Sequence, residues 1–529
     1  MKLRIALAIF LLGFMFEKTA IGQANAPGTS QNFQLVGHNA LFNRGLNAAP
    51  AIFDHFLYVG NRTDGSSRCG IGDPRRAANI DGCPHPHPGI LILDIADPSS
   101  DPTVVGEIGP PFAGNVGIST RELRVWPQKK LLMVMTFRCS SVIHACPPGS
   151  DTTFPFDIKF FDLTDPVHPR FILSYVTTSN AGQQIKPHEM YLWIDPKNSN
   201  RVLLWQSTPF FGRFSSIDPN RPQLVIADIS NVPSGGPVVE VAEGNWNQFF
   251  PGANDQVNYD FDLALHSMAP TTNGRRTNLA YLRGGFGTLS TGDVVDNGSP
   301  GQVISLNDKL LSPVPQFARW GTGDQCAGHT SVGCSESHSA VPVLGRQFEL
   351  NTDEVYGTFT APSFGWPWGW ARLISLADPE RPSIVGEFKI FQNTDAFLPS
   401  VDADTQQFTS YSSHNPTVTR NLAFIAWHSG GLQAIDISNP AAPVQAGVFS
   451  PEPLDSVANE DPALSRGPNK VVMWSYPIIK NGLIYVVDIR NGLYVLRYTG
   501  PNAAEVNGIG FLEGNSNLGD AVRLDQSVP

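Results

Sequence analysis

One short pattern constrains this chain more than any other feature, because it recurs. Its cleanest copy is Leu432-Gln433-Ala434-Ile435-Asp436-Ile437-Ser438-Asn439-Pro440, a strand-length apolar run ended by turn residues. A second apolar run precedes it, and the two meet at Gly430-Gly431. Related copies occupy residues 89–98, 157–166, 223–231, 302–307 (a weaker one), 372–379 and 492–498. Most copies are followed by another apolar run, such as 103–108 or 383–388, and preceded by one, such as 131–135 or 483–487. A fourth short run lies further upstream in each unit.

Seven copies with four strands each predict an all-β chain, a seven-bladed β-propeller over residues 33–500. Glycine (49) and proline (44) are scattered through the 529 residues, which suits many strands and turns. No long stretch holds a period of 3.6, so long helices are not expected. The last unit lacks a fourth strand. Phe33-Gln34-Leu35-Val36-Gly37 can supply it, closing the ring with an N-terminal strand and removing the open edge. Residues 501–529 are polar and are expected to form a loose C-terminal tail.

The copies resemble the LVIVD-repeat family, exported bacterial β-propeller proteins whose name spells the third-strand pattern. The resemblance covers roughly 33–500 and implies the fold and export; it implies almost nothing about activity. The copies in units four and five depart from it by lacking the central aspartate, and the insertions are long.

The first 22 residues read as a signal peptide. Lys2 and Arg4 start it, residues 5–16 form its apolar core, and Ala20-Ile21-Gly22 offers small residues for cleavage. The apolar run is short of the ~20 residues a membrane span needs, and no later segment is a transmembrane candidate. The expected location is therefore periplasmic, cell-surface or extracellular. The six cysteines fall into local pairs, Cys69 with Cys83, Cys139 with Cys146 and Cys326 with Cys334, which suits disulfides in an exported chain. A net charge of −11 argues against general nucleic-acid binding.

Aligning the units places one column of residues at the front of each first strand: His38, Arg121, His188, His266, His338 and His414, with Trp474 near the seventh place. Five of the twelve histidines thus share one column. A second column, at the ends of the second strands, holds Arg62, Arg138, Glu354 and His428, with Arg283 close. Strand direction puts both columns on one face. The loops 62–88, 139–155, 207–221, 284–300 and 358–370 belong there too, with the cysteine pairs and the tryptophans Trp366, Trp368 and Trp370. An elaborated face of this kind is where a ligand site belongs.

Three readings of the columns stay open. In the first, His188, His266, His338 and His414 bind a divalent or redox metal ion, Zn, Cu, Fe or Mn, with Glu189 and Glu336 orienting the rings. In the second, the histidines and arginines form a metal-free pocket for a carboxylate such as a uronate. In the third, the histidines hold neighbouring units together and the face binds a protein partner. His38, Arg62, Arg121, Arg138, Arg283 and His428 are the candidate substrate-binding residues. The expected ligand is a small molecule or glycan. An enzyme of this kind is expected to be a metal-dependent oxidoreductase or lyase acting on an anionic or aromatic substrate. The alternative is a non-catalytic periplasmic or cell-surface binding module.

Weaker signals are His85 and His87 in a proline-rich loop, His144 between two cysteines, and Asp353-Glu354, either a carboxylate ligand pair or a turn. No Gly-x-Ser-x-Gly, P-loop or dinucleotide fingerprint occurs, which disfavours serine-hydrolase and nucleotide chemistry.

Overall fold

The repeat folds as its alternation dictates. In a strand, successive side chains face opposite sides. Leu422, Phe424, Ala426, Leu432 and Ala434 pack into one core, while Ala423, Ile425 and Ile435 pack into another on the opposite face of the same sheet. A sheet buried on both faces reads as a near-continuous apolar run, which is why the repeat was visible in the sequence.

The computed structural model describes residues 19–22, 26–62, 69, 74–79, 82–109, 118–138, 156–209, 221–246, 265–281, 285–299, 301–312, 337–354, 368–394, 396–397, 411–461, 464–465 and 469–525. The fold is all-β, with a few short helices. Among the described residues the strands form seven antiparallel four-stranded units. Unit 1 is Asn47–Phe53, Phe56–Asn61, Ile90–Asp94 and Thr103–Ile108; unit 2 is Ile118–Trp126, Leu131–Arg138, Asp157–Asp162 and Arg170–Tyr175. A single pairing, Asn61 with Thr120, joins these two. Unit 3 is Glu189–Asp195, Asn198–Ser207, Leu224–Asp228 and Val239–Gly244; unit 4 is Leu265–Pro270, Arg276–Tyr281, Gly285–Ser290 and Leu310–Ser312. Unit 5 is Ser337–Pro342, Phe348–Asp353, Ala371–Ser375 and Ser383–Lys389; unit 6 is Pro416–Val418, Leu422–Ala426, Leu432–Asp436 and Val444–Ser450. Unit 7 takes Ile478–Lys480, Leu483–Asp488 and Gly492–Tyr498 from the end of the repeat region and Phe33–Asn39 from the beginning.

That last strand pairs antiparallel with Gly492–Tyr498, setting Phe33 opposite Tyr498 and His38 opposite Tyr494. Each hydrophobic core is shared by two consecutive units, and one is shared by units 7 and 1, where Leu57, Val59 and Leu91 meet Ile478, Tyr485 and Val495. Burying each such side chain contributes about 1.5–3 kcal/mol, and no unit could gain this alone. The N-terminal segment also adds Thr29–Gln31 to the outer edge of unit 6 and Thr19–Ile21, parallel, to that of unit 5.

Three expectations are corrected. The third strand of unit 4 is Gly285–Ser290, so 284–300 is no loop insertion. The weak copy at 302–307 is not a third strand; Ile304–Ser305 pairs in parallel with the outer strand of unit 3. The true strand, Gly-Phe-Gly-Thr-Leu-Ser, carries two glycines and lacks the apolar run that marks the others.

The C-terminal segment is not a loose tail. Val506, Ile509, Leu512, Leu518 and Ala521 are buried, and Phe511–Leu512 pairs with the first strand of unit 7. Asn517 clamps unit 3: Ile194 N–H donates to its Oδ1 (2.8 Å), and its Nδ2 donates to Ile194 O (2.7 Å). The same amide reaches Thr272 O, past the first strand of unit 4. Asp525 accepts from the Thr272 hydroxyl and from Gly345 N–H, and Glu505 accepts from the backbone of Arg420 and Asn421. The segment therefore ties units 3 to 7 together at the ends of the first strands opposite the histidines. Its polar composition matches the backbone groups it satisfies there.

Candidate metal centre

The histidines are aimed by a repeated backbone device. Residue pairing between the first and second strands skips one residue in units 2, 4 and 5, and the skipped residues are Arg121, His266 and His338. A bulge of this kind re-aims the extra side chain. His188 and His414 stand just ahead of their strands, donating N–H to Ser207 O and Ala426 O.

The rings form a continuous arc. His188 Nε2 lies 2.9 Å from His266 Nε2. Ring centroids are 4.0 Å apart for His266 and His338 and 3.9 Å for His338 and His414. His414 is 4.2 Å from Trp474, which fills the seventh place. His428 stacks on Trp474 at 5.0 Å, and Arg62 Cζ lies 4.2 Å over the same indole. Arg62 Nη1 is 3.9 Å from the buried Asp461.

The hydrogen bonds fix which nitrogen each ring presents. His414 Nδ1 faces Trp474 O (2.6 Å) and His266 Nδ1 faces His338 O (3.3 Å). A carbonyl only accepts, so both Nδ1 atoms carry the proton. Ser339 Oγ donates to Asn415 Oδ1 (3.0 Å), so His338 Nδ1, 2.9 Å from that oxygen, donates to it. All three rings thus present an Nε2 lone pair: that of His266 accepts from His188 Nε2–H, and those of His338 and His414 are kept for something else. Glu354 lies on that side: Oε2 is 3.6 Å from His338 Nε2, and Oε1 is 3.4 Å from His414 Nε2 and 3.3 Å from His428 Nε2. Glu189 Oε1 is 3.6 Å from His338 Nε2 and 3.9 Å from His266 Nδ1.

Burial sets the protonation states. His266 and His428 are held down to about 4, in both cases first by desolvation. His188 and His338 are also pushed well below the ordinary histidine range by burial, with neighbouring histidines adding to it; Arg121 and Lys186 contribute at His188. Burial and Glu122 push the Glu189 carboxyl well up. Burial pushes Glu354 the same way, but His414, His428 and His338 outweigh it and hold that carboxyl well below its usual range.

Neutral imidazoles beside carboxylates are a metal donor set. Glu189, His266 and His338 can bring one donor atom each within 4.8 Å of one another, and so can His338, Glu354 and His414. The residues fit an ion on a further observation. Buried His414 Nε2 and Glu354 Oε1, though close, are not aligned as a hydrogen bond and make none. Such orphaned atoms cost free energy unless a further group satisfies them.

Of the residues singled out in the sequence, His188, His266, His338, His414 and His428 come together, with Arg62 across Trp474. His38 does not join them. It lies on the outer strand of unit 7, stacked on Tyr494 (4.3 Å) with Nε2 accepted by Asn491 O (2.8 Å). Unit 1 starts at Asn47, nine residues further on, and Phe33–Asn39 belongs to unit 7, so the alignment that put His38 in the column was displaced. Arg121 sits at the rim with its guanidinium 5.0 Å from the Phe137 ring. Arg138 ends the second strand of unit 2; its side chain, like Arg283, Glu336, His144 and Trp366, lies outside the described residues. Cys69 and Cys83 are disulfide-bonded; Cys139, Cys146, Cys326 and Cys334 lie outside the described residues.

Glu189, expected to orient a ring from behind, instead faces His338 Nε2. Glu354 is the acid its column position pointed to, while Asp353 turns away to pair with Arg372. His87 pairs with Glu107 (2.9 Å) and stacks on Phe42. Lys186, 4.8 Å from the Phe137 ring, was not signalled by any motif.

Among solved structures, the chain is similar to a Lactobacillus plantarum protein at 9% identity, covering 76% of this chain and 85% of that one with a TM-score of 0.40. It is also similar to a candidate 6-phosphogluconolactonase from Bacteroides uniformis (9% identity, 75% and 83% covered, TM-score 0.38) and to another from Bacteroides fragilis (8%, 76% and 84%, 0.39). No curated protein matches the chain. Residues 416–450, the whole of unit 6, match the family model described as LVIVD repeat.

Proposed function

We propose that the seven units are the blades of a β-propeller and that the histidine–glutamate cluster binds a divalent or redox metal ion on its axis. The observation carrying this reading is the tethering of Nδ1 in His338 and His414, which leaves their Nε2 lone pairs beside Glu354. His188, His266, His338 and His414 would hold the ion with Glu354 or Glu189. When bound, it would supply Lewis-acid polarisation of a substrate oxygen or one-electron chemistry. The protein's own contribution is to keep the imidazoles neutral, fix their tautomers through Trp474 O, His338 O and Ser339, and exclude bulk water. The activity we infer is a metal-dependent oxidoreductase or lyase acting on an anionic or aromatic small molecule or glycan.

We also infer export, with loss of residues 1–22. The basic start and apolar core support it, as does the Cys69–Cys83 disulfide, and no helix among the described residues is long and apolar enough to cross a membrane. Cleavage after Gly22 would remove the edge strand Thr19–Ile21.

The test is metal content. Protein produced with Zn, Cu, Fe and Mn supplied should hold close to stoichiometric metal after dialysis, and His266→Ala and His338→Ala should lose it while folding. Metal-free wild-type protein under those conditions would sink the reading.

A further inference from the structure

A second column runs just behind the first. The residue after each column histidine is polar and buried: Glu189, Ser267, Ser339 and Asn415. Neighbouring units bring these residues together in pairs. Ser267 faces the Glu189 carboxyl, and Ser339 Oγ donates to Asn415 Oδ1 at 3.0 Å.

The Ser339–Asn415 pair also holds an imidazole. In a regular strand His338 and Ser339 would face opposite sides. The bulge at His338 brings ring and hydroxyl together, with Nδ1 2.9 Å from Oγ. His414 and His266 are tethered differently, by carbonyls, which only accept and so leave Nδ1 no choice. A hydroxyl both donates and accepts. Ser339 keeps the His338 proton on Nδ1 as long as its own proton points to Asn415. Without that acceptor the hydroxyl turns, donates to Nδ1 and drives the ring proton to Nε2, the atom 3.6 Å from Glu354. An Nε2 that carries a proton has no lone pair for an ion. Asn415 directly follows His414, so the segment that supplies one candidate ligand orients its neighbour, whose ring centroid is 3.9 Å away.

We propose that Ser339 and Asn415 form a tautomer lock on His338, with Asn415 as the positioning residue that keeps the Nε2 lone pair turned to the ion site. The effect of the lock on metal affinity rests on the cluster binding an ion; its effect on the ring proton does not.

The proton is read by nitrogen NMR of labelled histidine in the metal-free full chain, where protonated and bare ring nitrogens resonate far apart; His338→Gln identifies the His338 signals. Wild type should carry the proton on Nδ1. The Tyr476 hydroxyl also faces Ser339, so Asn415→Leu is made in Tyr476→Phe protein, where it should move the proton to Nε2. Asn415→Asp, which keeps an acceptor, should leave the proton on Nδ1. Zinc affinity, measured by chelator competition, should fall about 10–100-fold on adding Asn415→Leu. Adding Ser339→Ala to that variant should recover part of the loss, because the hydroxyl that misplaces the proton is gone. A residue that only filled space would not be rescued by a second deletion. A proton on Nε2 in wild type, or one that stays on Nδ1 in folded Asn415→Leu protein, would overturn the lock. Where Asn415→Leu does not fold, Ser339→Ala alone decides: the Nε2-protonated form should appear, and unchanged His338 signals would overturn the lock. A proton that moves as expected in a chain that binds no metal would remove the metal reading and leave the lock standing. Metal bound with an unmoved proton would do the reverse.

Discussion

His414 Nε2 and Glu354 Oε1 lie 3.4 Å apart in a fully enclosed setting, yet they do not form a hydrogen bond. Glu354 Oε1 is also 3.3 Å from His428 Nε2. Removing the Glu354 charge while keeping its shape therefore tests what the cluster is for. Glu354→Gln should lower metal affinity by about 10–100-fold, the range seen when a metal site loses a carboxylate that supports its ligands, and by more if Glu354 binds the ion directly. Competition against a chromophoric chelator measures this. Unchanged affinity would assign Glu354 to packing alone.

Acid should destabilise the metal-free protein through its histidines. His266 and His428 are held at about 4 in the folded chain, against about 6.5 when unfolded. Above pH 6.5 both states are neutral at these residues and stability does not depend on them. Between 6.5 and 4 the unfolded chain takes up protons that the folded chain refuses, so stability falls as pH falls. The raised carboxyls of Glu189, Glu240 and Glu349 work in the opposite sense, so the measurement is a difference, the melting temperature of the metal-free protein minus that of its His428→Gln variant. That difference should be level above pH 7 and should fall steadily toward pH 4. An equal difference at pH 7 and 4.5 would contradict the assignment of a neutral, desolvated imidazole at His428.

Much of this architecture was legible because sheets buried on both faces leave near-continuous apolar runs, as in Leu432–Asp436 and Ile90–Asp94. The closing strand was legible for a different reason: one unit was a strand short and Phe33-Gln34-Leu35-Val36-Gly37 was an unused run. The four column histidines followed from counting along aligned strands. The same counting failed for His38, where the strand belongs to the last unit and no longer to the first. It failed for Gly285–Ser290, whose glycines hide the pattern. Lys186 could not be found this way, since it lies in a loop, outside the aligned strands. The C-terminal segment misled because polar residues can be buried when they satisfy backbone groups, and composition does not say whose.

Asn517 gives that segment a direct test. Its amide makes both hydrogen bonds to Ile194 and a third to Thr272 O at 3.2 Å, all buried. Asn517→Ala leaves Ile194 N–H and Ile194 O without this partner, at about 1–3 kcal/mol for each buried group, while Thr272 O keeps its bond from Trp193 Nε1. Chemical denaturation should show a loss of at least ~2 kcal/mol, while Asn507→Ala, at an exposed position ending the short helix Ala503–Asn507, should change little. Equal stability of the two variants would mean that the segment lies on the ring without bracing it.

The closing strand makes the last prediction. Phe33 sits at 5.3 Å from the Tyr498 ring and 6.3 Å from Phe424, so it joins the outer strand of unit 7 to the core that unit 7 shares with unit 6. Phe33→Ala should cost about 3–5 kcal/mol, the usual penalty for emptying a buried aromatic position. The position of the loss along the chain is the sharper readout. Antiparallel pairing to Gly492–Tyr498 protects that strand's amides, so hydrogen exchange should accelerate first in residues 492–498 and in the facing strands of unit 6, and last in units 3 and 4. Leu35, half exposed on the same strand, is the control: Leu35→Ala removes a side chain without opening the core and should leave exchange in residues 492–498 near wild type. Uniform acceleration around all seven units would mean that the ring opens as one cooperative body, with Phe33–Asn39 contributing no local clasp.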